Sequence, residues 1–382
     1  MRVGIDGGCW GNRRGYGRFF REVLAEMPAL DPSVQYTIFL DVPAGADNPL
    51  PDGVRAVHGP TSAGVNETAH AGGRRPVSDL LRMSWAVARE KMDVFYFPSV
   101  YSYFPLLRPA PMLLGICDTI PDRHPEFAFA TRREQRFWDW KMRLALAQAQ
   151  RVLTISQYSQ RCIHDQFGWP MDKIDVVHLA ASRGFHPGES AARDPYVLYV
   201  GGISPNKNLA VLIRAFARLH QRAPGVKLVL GGDHQTDGFK SSHAELAALI
   251  QAESLAGLVE FTGYVPESEL RGLYCGARLL AFPSLDEGFG LPAVEAMACG
   301  LPVVASRGHA LEEVVGEAGL LVDARNEGEL AEAMERILTD PALAAALRAK
   351  SLRRAADFSW KKTAEGLLNV LRAMAGAEQV RR

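Results

Sequence analysis

Two glutamates stand eight positions apart, Glu287 and Glu295, in the otherwise apolar stretch "DEGFGLPAVEAMACGLPVVAS" (286–306). Carboxylates are costly in such company unless a ligand or a partner meets them. Pro292 fits the first turn of a helix, so the amides of Phe289, Gly290 and Leu291 gather at its positive end. Glu287 then lies in the loop before that helix. Glu295 projects from its first turn, where the dipole favours a negative charge. Carboxylates so placed are good acceptors for sugar hydroxyls, which need directed hydrogen bonds more than apolar contact. The plainer readings are a helix-dipole partner for Glu295 and a solvated loop for Glu287.

Three further loops have the composition of ligand-binding turns. In "VGGISPNKNL" (200–209) a strand ends at Gly201 and Gly202, and Asn206 and Lys207 precede a helix that Asn208 is placed to cap. A lysine and helix amides pointing the same way suit a diphosphate. In "VEFTGYVPESEL" (259–270) Tyr264 and Val265 offer an apolar wall and backbone groups to a nucleobase before Pro266 opens the next helix. In "DGGCWGNRRGYGRFF" (6–20) Gly15 and Gly17 allow close backbone approach at a helix start, next to the basic pair Arg13 and Arg14. This last loop is not a dinucleotide fingerprint, because Phe20 stands where the third glycine should be. That argues against a nicotinamide dehydrogenase.

These loops need a scaffold, and the chain is long enough for two. At 382 residues it exceeds the usual ceiling for one hydrophobic core, and its 47% apolar content supports real cores. The 43 basic and 43 acidic residues balance, so nothing asks for nucleic acid as a partner. Five scattered cysteines without a CxxC pair argue against zinc or a redox dithiol and for a reducing compartment. The chain opens on "MRVGID" with no leader pattern, and no apolar run reaches membrane length. The expected location is the cytoplasm, at most peripheral to the inner face of the membrane.

Short apolar runs alternate with helical periods throughout. Strands are expected at 2–5, 36–40, 93–97, 112–116 and 152–155, and again at 196–200, 226–230, 258–261, 278–282 and 302–306. Phe19, Phe20, Val23, Leu24 and Met27 form one helical stripe, and Leu209, Leu212, Ile213, Phe216 and Leu219 form another. Such alternation predicts parallel strands with helical crossovers. The proline- and glycine-bearing stretch 185–195 reads as a linker. The division is therefore 1–185 and 186–360, with 361–382 as a last helix packing back on the first domain. Both halves read as doubly wound α/β sheets, whose ligands belong at the carboxyl ends of the strands.

The stretch "PSLDEGFGLPAVEAMACGLPVVAS" resembles the signature of glycosyltransferase family 4, a group of retaining, nucleotide-sugar-dependent enzymes with the GT-B fold. Its Glu287 to Glu295 spacing matches the family's paired-glutamate motif. "VGGISPNKNL" is similar to the family's phosphate loop, "FTGYVPESEL" to its base-binding turn, and "GICDTIPDRHPEF" (115–127) to the strand end that faces the donor sugar. The resemblance implies two Rossmann-like domains facing a central cleft, with acceptor in the first domain and nucleotide sugar in the second. It implies that Glu295 binds ribose hydroxyls, that Glu287 binds those of the transferred sugar, and that Lys207 holds the diphosphate with amides at Phe289, Gly290 and Leu291. Gly15 and Gly17 would line the cleft from the first domain. Asp118 would sit near sugar and acceptor, with Cys117, Ser156 and Arg14 on the same side. No metal or other cofactor is implied for the chemistry. The partners are a nucleoside-diphosphate sugar and a glycan, glycolipid or small-molecule acceptor.

Two positions depart from the family pattern. Gly202 stands where an arginine is frequent, which removes one phosphate charge, and Cys117 precedes Asp118 where a histidine is frequent. A thiol is a poor substitute for a histidine at neutral pH, and Cys117 also reads as a small buried apolar residue. The segment 131–150, with Trp138, Trp140, Lys141 and several arginines, fits an anionic membrane surface or a lipid-linked acceptor. A solvated basic face over a core-facing stripe is the commoner arrangement. Two rival functions share this architecture. A nucleotide-sugar epimerase would need an acid and base pair around the sugar, which the sequence does not display. A non-catalytic sugar-nucleotide sensor would keep Lys207 and Glu295 but lose Glu287 or the first-domain loop, and both are present.

Overall fold

A computed structural model describes residues 1–12, 15–45, 48–59, 76–108, 110–189, 194–232 and 242–381. The chain divides into two units, Met1–Leu179 with Trp360–Arg382, and Ala180–Ser359. The break falls between Leu179 and Ala180. The first described residues of the 185–195 stretch are already held on the second unit. Phe185 is buried with its ring 5.8 Å from that of Tyr274, and Arg271 donates to the carbonyl of His186.

The first unit is built on seven strands: β1 (Arg2–Asp6), β2 (Gln35–Leu40), β3 (Val54–His58), β4 (Val94–Phe97), β5 (Met112–Gly115), β6 (Arg151–Thr154) and β7 (Ile174–Val176). Their order is β3-β2-β1-β4-β5-β6-β7, parallel throughout. Central β4 and β5 are buried at every residue, which is why they read as unbroken apolar runs rather than alternating ones. The helix Gly15–Leu30 buries the stripe Phe19, Phe20, Val23, Leu24 and Met27. The last helix, Trp360–Arg381, lies on this unit: Trp360 meets Phe19, and Thr363 Oγ1 donates to the His178 carbonyl at 2.5 Å.

The second unit carries six strands: β8 (Tyr196–Val200), β9 (Lys227–Gly231), β10 (Val259–Gly263), β11 (Leu279–Phe282), β12 (Val303–Ser306) and β13 (Gly319–Val322). Their order is β10-β9-β8-β11-β12-β13, again all parallel. The helix Leu209–Arg222 buries Leu209, Leu212, Ile213, Phe216 and Leu219. Each unit is a doubly wound Rossmann-like sheet, so the GT-B architecture expected from the sequence is present. β3, β7 and β13 were not anticipated. All three are sheet edges, two short and all only partly buried, so they lack the apolar density that marks the inner strands.

Strand order reverses between β1 and β4 in one unit and between β8 and β11 in the other. Loops leaving those strand pairs diverge to opposite faces and leave a crevice at the carboxyl edge. Every loop singled out by composition emerges on the carboxyl edge of its own sheet.

Candidate active site

At the second unit's crevice, β8 leads into residues 201–208 and β11 into 283–290. The two loops are stitched together. Asn206 is buried, and its carbonyl accepts the amide of Leu285 at 2.8 Å, while Ser204 Oγ donates to Asn206 Oδ1 at 2.6 Å. Asn208 takes a left-handed conformation, φ +58°, and its Nδ2 donates to the carbonyls of Pro283 at 3.2 Å and Ala324 at 2.6 Å. Its side chain therefore does not cap the helix Leu209–Arg222, as the sequence suggested, because it is committed to holding the neighbouring loops.

This stitching brings the two charged residues together. Lys207 Nζ donates to Glu287 Oε2 at 2.5 Å, each side chain 16% exposed. The ammonium also lies 5.5 Å from the centre of the Phe282 ring. Ser284 Oγ donates to the same Glu287 oxygen at 3.3 Å. Behind Ser284 is a buried layer. Ser306 Oγ and His309 Nε2 both donate to the Ser284 carbonyl, at 2.6 and 3.0 Å, and the two side chains are 2.8 Å apart. The amide of Leu311 points at His309 Nδ1 from 3.4 Å, which fixes the neutral tautomer with its proton on Nε2. Burial holds His309 below its ordinary imidazole value, against the opposing pull of Glu287.

The helix Leu291–Ala298 starts at this crevice, with Pro292 in its first turn and Gly290 as its N-cap at φ +98°. That positive φ favours glycine, and a Cβ on Gly290 would also press on Leu311 Cδ2 at 2.2 Å. Phe289 is buried edge-on against Phe358, fixing the backbone from which the amides of 289–291 project. Glu295 stands just past the first turn rather than within it, since the helix begins at Leu291 and its first turn holds no acidic residue. Glu295 is buried, and its Oε2 accepts the Tyr274 hydroxyl at 2.8 Å. On the same edge Tyr264 is exposed and Val265 half-buried, just past β10. Gly202 is exposed, and a Cβ there would meet nothing within 4 Å. Its carbonyl accepts the Tyr199 hydroxyl at 2.8 Å.

In the first unit the carboxyl edge gathers Gly15, Gly17, Cys117, Asp118 and Ser156. Gly17 is required by the loop itself, because a Cβ there would lie 2.1 Å from the Asn12 carbonyl oxygen; Gly15 is exposed with open space around it. Asp118 Oδ1 accepts the amide of Ile120 at 2.9 Å. Burial, then the adjacent Asp118 carboxylate, pushes the Cys117 thiol up to about 12, so it is neutral at pH 7. Ser156 caps the helix Gln157–Phe167, its Oγ accepting the Ser159 amide at 2.9 Å. Arg14 lies outside the described residues.

Sequence reasoning passed over several residues that line or support these edges. Asp6, fully buried at the end of β1, accepts from the Gly8 amide and from Ser102 Oγ beyond β4, joining the two strands of the first crevice. A carboxylate ending an apolar strand before two glycines was the available signal. Asp122 accepts Trp138 Nε1 at 2.8 Å, while its Oδ2 is buried without a hydrogen-bond partner among the described residues. Burial pushes it up to about 7, with Trp138 opposing and Asp118 adding to the rise. Tyr274, Ser284, Ser306 and His309 act through tertiary contacts that no local pattern announces. Among the described residues no group of three or more His, Cys, Asp or Glu is placed to hold a metal ion.

Comparison with known proteins adds to this geometry. The family model for glycosyl transferases group 1 matches residues 194–340, and that for the glycosyl transferase 4-like domain matches 14–180. A curated relative, O-antigen chain mannosyltransferase B of Escherichia coli, is 30% identical over 309 residues, 77% of each chain. The chain belongs to the group 1 glycosyl transferases. Its enzyme class is accordingly glycosyltransferase, and it is similar to a mannosyltransferase. The D-inositol 3-phosphate glycosyltransferase of Rhodococcus opacus (strain B4) is 37% identical over 224 residues, 54% of this chain and 49% of that one. Among solved structures, sucrose-phosphate synthase from Thermosynechococcus elongatus superposes with a TM-score of 0.78 at 22% identity, covering 99% of this chain and 100% of that one. Anabaena Alr3699/HepE in complex with UDP-glucose gives 0.73 at 20% identity over 98% and 100%. At these identities the two structures speak to the fold alone.

Proposed function

We propose that the enzyme moves a sugar from a nucleoside-diphosphate sugar to a hydroxyl acceptor with retention of anomeric configuration. The observation that carries this is the Lys207–Glu287 pair at the β8/β11 crevice, next to the N-terminus of the helix Leu291–Ala298. One cation and a set of helix amides suit a diphosphate, and a carboxylate beside them suits the hydroxyls of the sugar it carries. Lys207 and the amides of 289–291 take the diphosphate, Glu287 the sugar, Glu295 the ribose, and Tyr264 with Val265 the base.

In the reaction the C1–O bond to the diphosphate breaks and its electron pair stays on the departing oxygen. The acceptor oxygen bonds to C1 from the same face, and its proton passes to that diphosphate oxygen. No protein base is required. The protein stabilises the charge growing on the leaving group and aligns the two substrates. Asp118 serves the sugar and acceptor side. Cys117, held neutral, is a packing residue rather than a base. The positive charge opposite the diphosphate comes from Lys207 and the helix, so we infer that no metal is needed. Retained turnover in a chelator tests that point.

The acceptor is a hydroxyl on a glycan, glycolipid or small molecule. The relatives named for O-antigen and inositol-phosphate chemistry support that range. The test is to incubate the protein with a panel of nucleotide sugars, with and without acceptors, and to follow nucleoside diphosphate. Release that depends on acceptor, with a product of the donor's anomeric configuration, is expected. An altered donor sugar without release would point to an epimerase, and no release with any donor would overturn the reading.

A further inference from the structure

The second unit has a cavity at the edge of its sheet opposite the donor loops. About 560 Å³ in volume, it is lined by Pro195, Val226, Arg278 and Pro302, the residues immediately before β8, β9, β11 and β12. The helices Glu267–Gly276 and Leu291–Ala298 both end here, and each brings a cysteine to the wall. Cys275 lies in the last turn of the first, and Cys299 is the C-cap of the second. Sequence spacing argued against a redox dithiol, since these residues form no CxxC pair. The fold supplies the adjacency instead.

The two free thiols have unequal surroundings. Cys299 is buried with Cys275 as its hydrogen-bonding neighbour; burial, then that neighbour, pushes the Cys299 thiol up. Cys275 is only partly buried, with its Sγ 3.7 Å from the His186 carbonyl. A guanidinium stands beside it: a Cβ on Gly188 would lie 2.5 Å from Arg271 Nη2 and 3.4 Å from Cys275 Sγ. A cation next to a solvent-reachable sulfur suits an attacking thiolate, and a sheltered neighbour suits the thiol that acts second. Both cysteines also adjoin Glu295. Tyr274, next to Cys275, donates to Glu295 Oε2 at 2.8 Å, and the amide of Cys299 donates to the Glu295 carbonyl at 3.1 Å. A disulfide holds its sulfurs about 2.0 Å apart, closer than two thiols in contact, so forming it draws the helix ends together beneath that carboxylate.

We propose that Cys275 and Cys299 form a dithiol–disulfide site whose oxidation loosens the grip of Glu295 on the nucleotide. The oxidant is a low-molecular-weight disulfide. Cys275 gives up its proton and its sulfur attacks one sulfur of the oxidant; the oxidant's S–S bond breaks, and the departing thiolate takes that proton. Cys299 then gives up its proton and attacks the Cys275 sulfur of the mixed disulfide, expelling the second small thiol, which takes this proton. The two cysteines lose two electrons, and the small disulfide is reduced to two thiols. The effect on the nucleotide rests on the role proposed for Glu295, whereas the bridge itself does not.

The test treats the full chain with oxidised glutathione, maps its peptides by mass spectrometry without reductant, and titrates UDP and GDP into the reduced and oxidised forms. A Cys275–Cys299 bridge without retained glutathione is expected. Nucleotide affinity should fall about 2- to 10-fold, the worth of one hydrogen bond, and dithiothreitol should restore it. Cys299→Ser should trap glutathione on Cys275, and Cys275→Ser should leave Cys299 unmodified while keeping the reduced parent's affinity. No modification, glutathione that stays on Cys275 of the parent, or a bridge between other cysteines overturns the site. A Cys275–Cys299 bridge with unchanged affinity overturns its link to the nucleotide. Reduced protein that binds neither UDP nor GDP would count against the role of Glu295, and the peptide map would still decide the site.

Discussion

Lys207 and Glu287 are 80 positions apart in the chain, yet their charged atoms are 2.5 Å apart. The pair spans the point where strand order reverses, so the residue proposed to hold the diphosphate and the one proposed to hold the sugar meet in one contact. Each is then positioned by the other as well as by its own loop. Lys207→Ala and Glu287→Gln should each lower kcat/KM by about 10- to 150-fold, the range for losing a charge-assisted contact. Glu287→Gln should act chiefly on turnover. Because the residues touch, the double variant should deviate from additivity by more than ~0.5 kcal/mol. Steady-state kinetics with one donor and acceptor measures this, and strict additivity would show that the contact does not matter to the reaction.

Glu295 is assigned to the nucleotide, so Glu295→Ala should weaken nucleoside diphosphate binding about tenfold or more. Tyr274→Phe removes a single hydrogen bond to that buried carboxylate and should have a smaller effect of the same sign. Calorimetric titration of the diphosphate into each variant measures both. Unchanged affinity in Glu295→Ala would remove the residue from the site.

The inner strands and the two helical stripes were legible because burial on both faces leaves a compositional trace. The glycine-rich loops were legible because a close backbone approach leaves one too. Contacts between distant loops leave none. That Asn208 holds Pro283 and Ala324 rather than capping its helix depends on residues 75 and 116 positions away. His309 is of the same kind: nothing in "SRGHALEE" announces a side chain that supports the carbonyl of Ser284. Glu295 falls just past the first turn because the helix opens at Leu291, one residue before the proline that marked its start.

Asp122 makes a prediction about pH. Its folded carboxyl stays protonated up to about 7, whereas the unfolded one ionises near 3.8. Between those values the native state holds a proton that the unfolded state has lost, so stability should fall as pH rises from 3.8 to about 7, then level off. Asp122→Asn keeps the oxygen that accepts from Trp138 and cannot ionise. It should flatten that slope and raise stability at pH 8 by more than ~1 kcal/mol. Denaturant melts across the window decide it, and an unchanged slope would mean that the carboxyl is already ionised at lower pH.

His309 has the opposite sign. Burial lowers its folded value below the ordinary 6.5, so its contribution is intact above 6.5 and is lost as pH falls through the lowered value. Protonation would set a new Nδ1 proton against the Leu311 amide and loosen the support under Ser284 and Glu287. Activity and stability should therefore decline together on the acid side. His309→Gln, which cannot titrate there, should remove that part of the decline while lowering activity at neutral pH. A wild-type acid limb in the variant would assign the limb to another group.

Gly202 offers a prediction of tighter binding. Its backbone is exposed, a Cβ would meet nothing within 4 Å, and its φ is not among the positive ones, so a side chain can be added without strain. It lies five residues before Lys207 on the same loop, at the position where the family pattern frequently has arginine. A guanidinium there adds a second cation with bidentate geometry toward a diphosphate. Gly202→Arg should tighten nucleoside diphosphate binding by about 3- to 10-fold, with the gain shrinking as salt is raised. If release of the diphosphate limits turnover, kcat should fall while kcat/KM rises. Calorimetry at two salt concentrations and a full kinetic profile test both parts. Binding unchanged or weakened by the arginine would mean that the diphosphate does not pass over this loop, and the role given to Lys207 would go with it.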